Sequence, residues 1–575
     1  MKKIKLIFAS AVFFFLAVAV WYSPVLFKGY NSETTASHSL VRAKNFALTG
    51  KYSTENKLNV ILAPELIPAD GSKSFYGNKL GTILYSYVIK FFKISQNNSA
   101  VFANCVILAL ALVFFSIAVN YLFGFEMAII FSLVYIFLPS NWLNPQMLVG
   151  YEFALLFLSL FILFFSLGSR GFTKEAEEIK KYTWINKFYL VISGIFLILS
   201  CLSREAFLLI LPILFIFLLF SKLRKIVFYI FIPAVVILCL FWLPSFISGE
   251  NTYLLFFTNQ ADEKLKSSDF SYYAHLFPDP YTYHFDQESY LKEQNIGIQD
   301  LDLMGQIGMN KVLTNMGVET SGLIDHIKIG TPLFVRHLFR FFSITEIGGP
   351  LIFLLVLLGM IILKKQENYW FSYYLSWLLG SLFIMSYVDL AGRNHLMDFG
   401  FAIAVCAALG LVVLADSLSK NLYGGKYKRI FTIMMAGLVI YSLVLADHVM
   451  WGKEYDNSTV PLVLNYADRV KEKNISSQDV VALPLTANDA YNLNFNTEKS
   501  FVVFGKDTVS KLLLQNKLKE AFDKFGVKYI LGYSPELSAQ IASSTGAVII
   551  ADSMIQTDNQ DLEMNNKMWF LNLVK

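Results

Sequence analysis

Residues 101–123 read VFANCVILALALVFFSIAVNYLF, a stretch without a charged side chain. The hydrocarbon core of a bilayer is about 30 Å thick, and a helix of about 20 apolar residues crosses it. Similar blocks recur along the 575-residue chain, of which 55% is hydrophobic and only 16% is charged. A soluble globular domain carries about 25% charged residues. The sequence therefore predicts a polytopic α-helical membrane protein.

The apolar blocks predict eleven membrane spans. They cover residues 4–24, 101–123, 125–139, 147–168, 188–203, 205–221, 226–248, 349–363, 370–388, 396–415 and 430–450. Two interpretations of the first block compete, a cleaved signal peptide and an uncleaved first helix. Because the apolar run continues to Pro24 without a small-residue cleavage site, we predict an uncleaved helix.

Basic residues concentrate in alternate connections between the predicted spans. They precede the first span and follow the fourth, sixth, eighth and tenth spans. Cytoplasmic connections carry such an excess, so we predict a multi-pass protein of the cytoplasmic (plasma) membrane with a cytoplasmic N-terminus. An odd number of spans then places the C-terminus outside, together with two large loops at 25–100 and 249–348.

The last part of the chain differs in character. Apolar segments typical of strands at 480–484, 501–504, 528–531, 547–551 and 568–574 alternate with helical segments at 510–525 and 535–543. Such alternation predicts a small α/β domain. We expect a transmembrane domain over 1–451 and an extracytoplasmic α/β domain over 452–575. This domain has no glycine-rich phosphate loop and no nucleophile elbow, so we interpret it as an accessory domain that packs over the membrane part.

Several other functions receive no support from the sequence. The four cysteines lie in apolar blocks, match neither a disulfide framework nor a metal site, and are interpreted as small core residues: Cys105, Cys201, Cys239 and Cys406. The net charge of +5 follows the topology and does not indicate nucleic-acid binding. In the first loop, Gly81–Lys93 is too short to span and predicts an amphipathic or re-entrant helix at the membrane interface.

The nine arginines are the most informative charged residues. Six fall on the predicted outer side, against the trend set by topology: Arg42, Arg204, Arg336, Arg340, Arg393 and Arg469. Planar guanidinium groups suit phosphate oxygens, which predicts a lipid phosphate or pyrophosphate site at the outer surface. The competing interpretation is pairing with carboxylates or snorkelling to headgroups.

Two predicted outer turns concentrate charge. Arg204 and Glu205 are adjacent between two spans, where they could also neutralise each other. Residues 389–398 read DLAGRNHLMD and contain Arg393, His395 and Asp398, of which the last two share a helix face. Because ionisable residues at helix mouths are costly, both turns are candidate substrate-binding sites.

The first outer loop begins with an acid. Glu33 precedes a predicted short amphipathic helix that carries His38 and Arg42, and the turn GKYS follows at 50–53. Here a carboxylate is suited to act as a general base on an acceptor hydroxyl. A solvated loop acid is the competing interpretation.

These three places, Glu33–Ser53, Leu202–Glu205 and Arg393–Asp398, together resemble the GT-C class of membrane glycosyltransferases. That class includes protein O-mannosyltransferases, the aminoarabinose transferases of lipid A and bacterial RgtA/B/C/D-like lipid-linked-sugar transferases. The resemblance implies a GT-C-like fold and inverting transfer of a sugar from a polyprenyl-phosphate donor to a glycan, lipid or protein acceptor at the outer membrane face.

The resemblance also implies residue roles. Glu33 becomes the catalytic base, and the substrate-binding residues are His38, Arg42, Arg204, Glu205, Arg393, His395 and Asp398. The family acid in this loop is usually aspartate, but no aspartate precedes Asp70 here, so Glu55, Glu65 and Asp70 stay as alternatives. No cofactor is predicted; some relatives use a divalent ion, but no second acid is clearly paired with Glu33.

Two other classes of function compete with a glycosyltransferase. A transporter or flippase of lipid-linked substrates would place charges at mid-bilayer depth. A non-catalytic scaffold in cell-envelope glycan assembly would use the C-terminal domain to bind a partner. The predicted charges gather at one face, which favours the transferase.

Overall fold

The computed structural model describes residues 2–28, 34–49, 60–62, 79–143, 145, 151–169, 184–204, 207, 210–219, 224–247, 334–335, 348–365, 400–456, 466–468, 470–471, 475–476, 479–484, 487–504, 506–524, 526–554 and 567–573. Its first part contains the helices α1 (Lys2–Lys28), α2 (Thr34–Thr49), α3 (Lys79–Phe92), α4 (Asn97–Phe123), α5 (Phe125–Ile136), α6 (Pro139–Leu143), α7 (Tyr151–Ser169), α8 (Trp184–Ser203), α9 (Ile210–Leu219), α10 (Arg224–Ile247), α11 (Pro350–Lys365), α12 (Gly400–Tyr423) and α13 (Lys428–Asp456). A short strand, β1 (Val60–Leu62), lies between α2 and α3.

The C-terminal part alternates strands and helices. Its elements are β2 (Val480–Leu483), α14 (Ala487–Thr497), β3 (Ser500–Val503), α15 (Lys506–Leu514), α16 (Leu518–Lys524), β4 (Val527–Leu531), α17 (Pro535–Thr545), β5 (Val548–Met554) and β6 (Lys567–Asn572). The α/β character predicted for this region is confirmed.

Ten of the eleven predicted spans coincide with helices, and the remaining one, at 370–388, lies outside the described residues. Within the described part, six helices are long and apolar enough to cross a membrane: α1, α4, α7, α8, α12 and α13. The total of eleven spans therefore stays a prediction.

The helix α12 extends beyond the end predicted for its span. It continues from residue 415 to Tyr423 because charged side chains support its last turns. The Asp416 carboxylate pairs with Lys420 at 2.8 Å, four residues along the same helix, and with Lys428 of α13 at 3.3 Å. The apolar pattern predicted the span, whereas ion pairs at helical spacing extend the helix into the polar connection.

The bundle core is built from large aromatic rings and from glycines. Phe115 of α4 and Phe401 of α12 stack with ring centroids 4.2 Å apart. The Trp21 indole of α1 donates a hydrogen bond of 2.9 Å to the Ile136 carbonyl at the end of α5. Such side-chain bonds between helices matter in lipid, where apolar contact alone gives little preference for one neighbour over another.

Glycines permit the closest helix approach. A β-carbon at Gly410 of α12 would overlap the Leu355 carbonyl of α11, and one at Gly359 of α11 would overlap the Cys406 carbonyl of α12. The two helices therefore touch through their backbones, which is how small residues act in membrane interfaces.

The cysteine interpretation is confirmed in three places and wrong in one. Cys105, Cys201 and Cys406 are buried, whereas Cys239 of α10 is exposed on the bundle surface. Lipid chains are as apolar as a protein core. An apolar sequence block therefore cannot separate a lipid-facing position from a buried one.

The helix predicted at Gly81–Lys93 is confirmed as α3, and it is amphipathic. Tyr85 and Ile89 are buried, and the Tyr85 hydroxyl donates to the Ala100 carbonyl of α4 at 2.9 Å. The opposite face carries Tyr87 and Phe91, the latter 81% exposed. Exposed aromatic rings on a short helix are typical of a segment lying at a membrane surface.

The strands form one six-stranded sheet in the order β1-β3-β2-β4-β6-β5. The pairs from β1 to β4 are parallel, while β6 runs antiparallel to both β4 and β5. The edge strand β1 comes from the first loop, and its residues Val60 to Leu62 pair with Phe501 to Val503. A three-residue strand within a long loop has no periodicity that would predict it from the sequence.

The helix predicted at 510–525 is interrupted in the structure. Asn516 adopts a left-handed backbone conformation with φ of 55° and separates α15 from α16. Asparagine accepts this conformation more readily than most residues.

The glycine contacts generate a stability prediction. We expect Gly410→Ala to lower the free energy of unfolding by about 1–3 kcal/mol, because α11 and α12 must separate. Thermal unfolding of the purified protein in detergent measures this loss. Gly437→Ala on α13 is the matched control, since a β-carbon there meets no atom within 4 Å. Equal midpoints for the two variants would contradict the close packing.

Candidate functional site

Most residues of the predicted site lie outside the described residues: Glu33, Glu205, Arg393, His395 and Asp398. His38 and Arg42 lie in α2, which begins directly after Glu33. Arg204 is the one residue of the predicted site whose side-chain burial is described. The convergence of Glu33, Arg204 and Arg393 on one cavity stays a prediction.

Arg204 caps the end of α8 and is buried. Its backbone N–H donates to the carbonyls of Ser200 and Cys201 at 3.0 and 3.2 Å, and the residue is 2% exposed. The guanidinium carbon lies 5.9 Å from the centre of the Phe207 ring. Snorkelling to headgroups would leave this group exposed, so its burial disfavours that interpretation and requires polar or anionic partners inside the protein.

Glu152 is a buried acid that is not among the site residues predicted from the sequence. It lies in the first turn of α7 and is 1% exposed. The Ser200 hydroxyl donates to the Ala154 carbonyl at 2.7 Å, so the start of α7 and the end of α8 lie at the same level. Arg204 and Glu152 therefore belong to the same end of neighbouring helices. The sequence does contain a sign of this residue, since Glu152 lies inside a predicted span. Burying an acid in a membrane costs free energy, so such an acid is a candidate functional residue.

Asp447 is a second buried acid that was missed. It lies near the C-terminal end of the apolar part of α13 and is fully buried. Among the described residues, neither of its carboxylate oxygens has a hydrogen-bond partner. A β-carbon at Gly400, the first residue of α12, would lie 2.8 Å from Oδ1 of Asn141 in α6. Since α13 returns antiparallel to α12, Asp447 lies toward the end of the bundle that contains α6.

The same end of the bundle meets the sheet, and we call it the sheet end. The Asn97 side chain at the start of α4 donates to Asn492 of α14 at 2.6 Å, and its backbone N–H donates to Asn496 at 3.1 Å. These amides are buried. The sheet end therefore carries buried polar groups both within the bundle and at its contact with α14.

Lys44 of α2 joins the first loop to α14. Its ammonium donates to the Phe495 carbonyl at 2.7 Å, pairs with Glu498 at 2.9 Å and lies 4.6 Å from the centre of the Phe495 ring. The Lys44 side chain is 3% exposed, whereas Glu498 is 55% exposed. Burial lowers the pKa of Lys44, and the hydrogen bond to Glu498 partly offsets that effect.

Glu498 has an unusual backbone. Its φ of 58° lies in the left-handed region just after the end of α14. That conformation costs a residue with a β-carbon about 1–2 kcal/mol, and glycine is the residue usually found there. A glutamate in this position places a carboxylate beside the buried Lys44.

The described residues contain no group of three or more histidine, cysteine, aspartate or glutamate side chains that could hold a metal ion. A divalent metal therefore has no candidate ligand set in this part of the chain.

The helices and the capping sheet define a multi-pass membrane protein with an α/β domain at one end of its bundle. No protein-family model matches the chain, and comparison with curated proteins gives no match. Solved structures do show likeness along nearly all of it.

One similar structure is the archaeal oligosaccharyltransferase AglB from Archaeoglobus fulgidus, in complex with an inhibitory peptide and a dolichol-phosphate. It matches with a TM-score of 0.51 and 12% identity over 95% of this chain and 71% of AglB. Another is ArnT from Cupriavidus metallidurans bound to undecaprenyl phosphate, with a TM-score of 0.53 and 11% identity over 98% of both chains.

Both proteins are GT-C membrane glycosyltransferases. At these identities the likeness establishes the fold, so the chain has the GT-C fold and the resemblance drawn from its sequence is confirmed at that level.

The geometry of α7 and α8 generates a prediction. We expect Glu152→Gln and Arg204→Met each to lower the free energy of unfolding. The loss in the double variant should be smaller than the sum of the two single losses by about 1–3 kcal/mol. Thermal unfolding of the three variants in detergent measures this coupling.

Glu126 of α5 provides the control for the double-mutant cycle, because it is exposed and lies in the first turn of α5, at the other end of the bundle. Glu126→Gln and Arg204→Met should be additive. Additivity of the Glu152 and Arg204 losses would show that the two groups do not interact.

Proposed function

We propose that the protein transfers a sugar from a polyprenyl-phosphate-linked donor to an acceptor at the outer face of the cytoplasmic membrane. The observation that carries this proposal is the GT-C fold along nearly the whole chain, shared with a structure that holds undecaprenyl phosphate. The acceptor class stays open among glycan, lipid and protein. The basic connections support the orientation, with a cytoplasmic N-terminus and the sheet end outside.

The proposed chemistry is an inverting displacement at the anomeric carbon. Glu33 takes the proton of the acceptor hydroxyl as the acceptor oxygen bonds to the sugar. The bond between the sugar and the donor phosphate breaks at the same time, and the lipid phosphate leaves with the bonding electrons. Transfer of the proton to Glu33 and departure of the phosphate balance the charges.

Arginines suit the leaving phosphate. Arg204 is buried at the sheet end, where low dielectric strengthens its attraction for an anion. Glu152 at the same level would orient the guanidinium. Arg393 would supply the second cation, while Arg42, Glu205, and the pair His395 and Asp398 would line the donor and acceptor pockets beside His38.

A transporter and a scaffold have weaker support. Transport calls for charges at mid-bilayer depth, whereas Glu152 and Asp447 lie near the ends of α7 and of the apolar part of α13. A scaffold would not need a buried arginine at a helix end.

The base assignment generates a prediction. We expect Glu33→Gln to lower the transfer of radiolabelled sugar from a polyprenyl-phosphate donor by about 100-fold or more, because no carboxylate accepts the hydroxyl proton. The amount of protein in the membrane and its thermal unfolding midpoint should be unchanged.

Matched changes of the other first-loop acids serve as controls. Glu55→Gln, Glu65→Gln and Asp70→Asn should retain most of the transfer. Full activity of the Glu33 variant together with an inactive variant among these three would move the base to that residue. Absence of transfer by the unaltered protein with all donors of this class would contradict the proposed function itself.

A further inference from the structure

We infer that the elements α2 and β1 of the first loop form one rigid unit with the C-terminal domain, and that Lys44 is the positioning residue that holds α2 on α14. This inference rests on the proposed function in one respect, namely that α2 begins directly after the proposed base Glu33. The C-terminal domain then serves as a structural part of the catalytic loop, in contrast to the accessory role expected from its sequence.

The first loop is attached to the domain at two separate places. The helix α2 packs on α14, and β1 adds a parallel strand to β3. The chain of α14 leads within a few residues into β3, so both attachments act on the same small part of the domain. Between them, α2 and β1 account for the beginning and the middle of the loop.

The bundle is tied to the same helix. Asn97 at the start of α4 bonds to Asn492 and Asn496 of α14. The helix α14 therefore contacts both the loop that follows α1 and the membrane helix α4. A shift of α14 would move α2 relative to the bundle end that contains Arg204.

Apolar contacts supply cohesion to this interface, but Lys44 determines its register. Leu40 and Val41 of α2 belong to the same buried cluster as Leu493 and Phe495 of α14. Apolar faces tolerate small sliding movements, whereas a buried ammonium is satisfied only where its acceptors lie. For Lys44 these acceptors are the Phe495 carbonyl and the Glu498 carboxylate, and a shift of a few ångström would leave the charge without them.

The Glu498 backbone supports the same conclusion. A left-handed position after a helix suits glycine, and the chain has a glutamate there whose carboxylate pairs with the buried Lys44 at 2.9 Å. Lys471 also lies close enough to affect Lys44, but it is exposed and its like charge lowers the pKa of Lys44, so it opposes the buried charge.

The test compares Lys44→Met with Lys44→Arg in the full-length protein. Methionine keeps the apolar stem and removes the charge, whereas arginine can still donate to both acceptors. We expect kcat for sugar transfer to fall by about 10- to 100-fold in the methionine variant, with the donor KM changed by less than about threefold, because a displaced base slows the chemical step. Arginine should restore most of kcat.

A second measurement is independent of activity. Hydrogen–deuterium exchange of residues 34–49 should become faster, on the order of tenfold, in Lys44→Met. Glu498→Gly should also raise the exchange rate in the same segment. Glycine adopts the left-handed backbone conformation without strain and the replaced side chain is exposed, so we expect this variant to fold. Lys471→Met is the matched control and should change neither exchange nor kcat.

The outcomes separate the two proposals. Unchanged exchange in both Lys44→Met and Glu498→Gly would overturn the role of Lys44 in holding α2. Faster exchange with unchanged kcat would overturn its positioning role while leaving the transferase intact. If the unaltered protein transfers no sugar, the proposed function fails, and exchange alone still decides whether Lys44 holds α2.

Discussion

Hydrocarbon offers no hydrogen bonds to a polypeptide, and this constraint underlies the rest of the structure. Each backbone N–H and C=O at membrane depth must be satisfied within the chain, so the apolar blocks become helices. Polar side chains are then confined to helix ends or to contacts between helices. Ser200 of α8, which donates to the Ala154 carbonyl of α7, and Trp21, which donates to Ile136, show how the few polar groups inside the bundle join neighbouring helices.

The same constraint explains which features could be predicted from the sequence. Span positions follow from length and apolarity, and α4 and α8 begin within about four residues of the predicted limits. The strands β2 to β6 were predictable because turn residues separate short apolar runs. Glu152 and Asp447 were missed because they stand inside apolar blocks, where the pattern of the block dominates. The pairing of β1 with β3 could not be predicted from the sequence, because it joins segments more than 400 residues apart and depends on tertiary contact alone.

For the candidate site, the sequence predicted which types of residue take part and the location of one of them. Arg204 was predicted at a helix end, and the structure adds its burial and the nearby Glu152. Lys44 could not be selected from the sequence, because lysine is common in this chain and its partner Glu498 is 454 positions away. A buried lysine becomes informative only when its surroundings are known. In this respect the physical environment of a charge, and not its identity, distinguishes a functional position.

The two ends of the bundle differ in the burial of their charged side chains, and this difference supports different roles for the two ends. At the end opposite the sheet, Asp416 pairs with Lys420 and Lys428 in contact with solvent, where water screens an ion pair and lets it rearrange at little cost. At the sheet end, the ammonium of Lys44 and the guanidinium of Arg204 are both buried. Burial makes each of these charges expensive to displace from its partners. The sheet end is therefore the end at which geometry is held most strictly, which the proposed alignment of a base, a hydroxyl and a lipid phosphate would require.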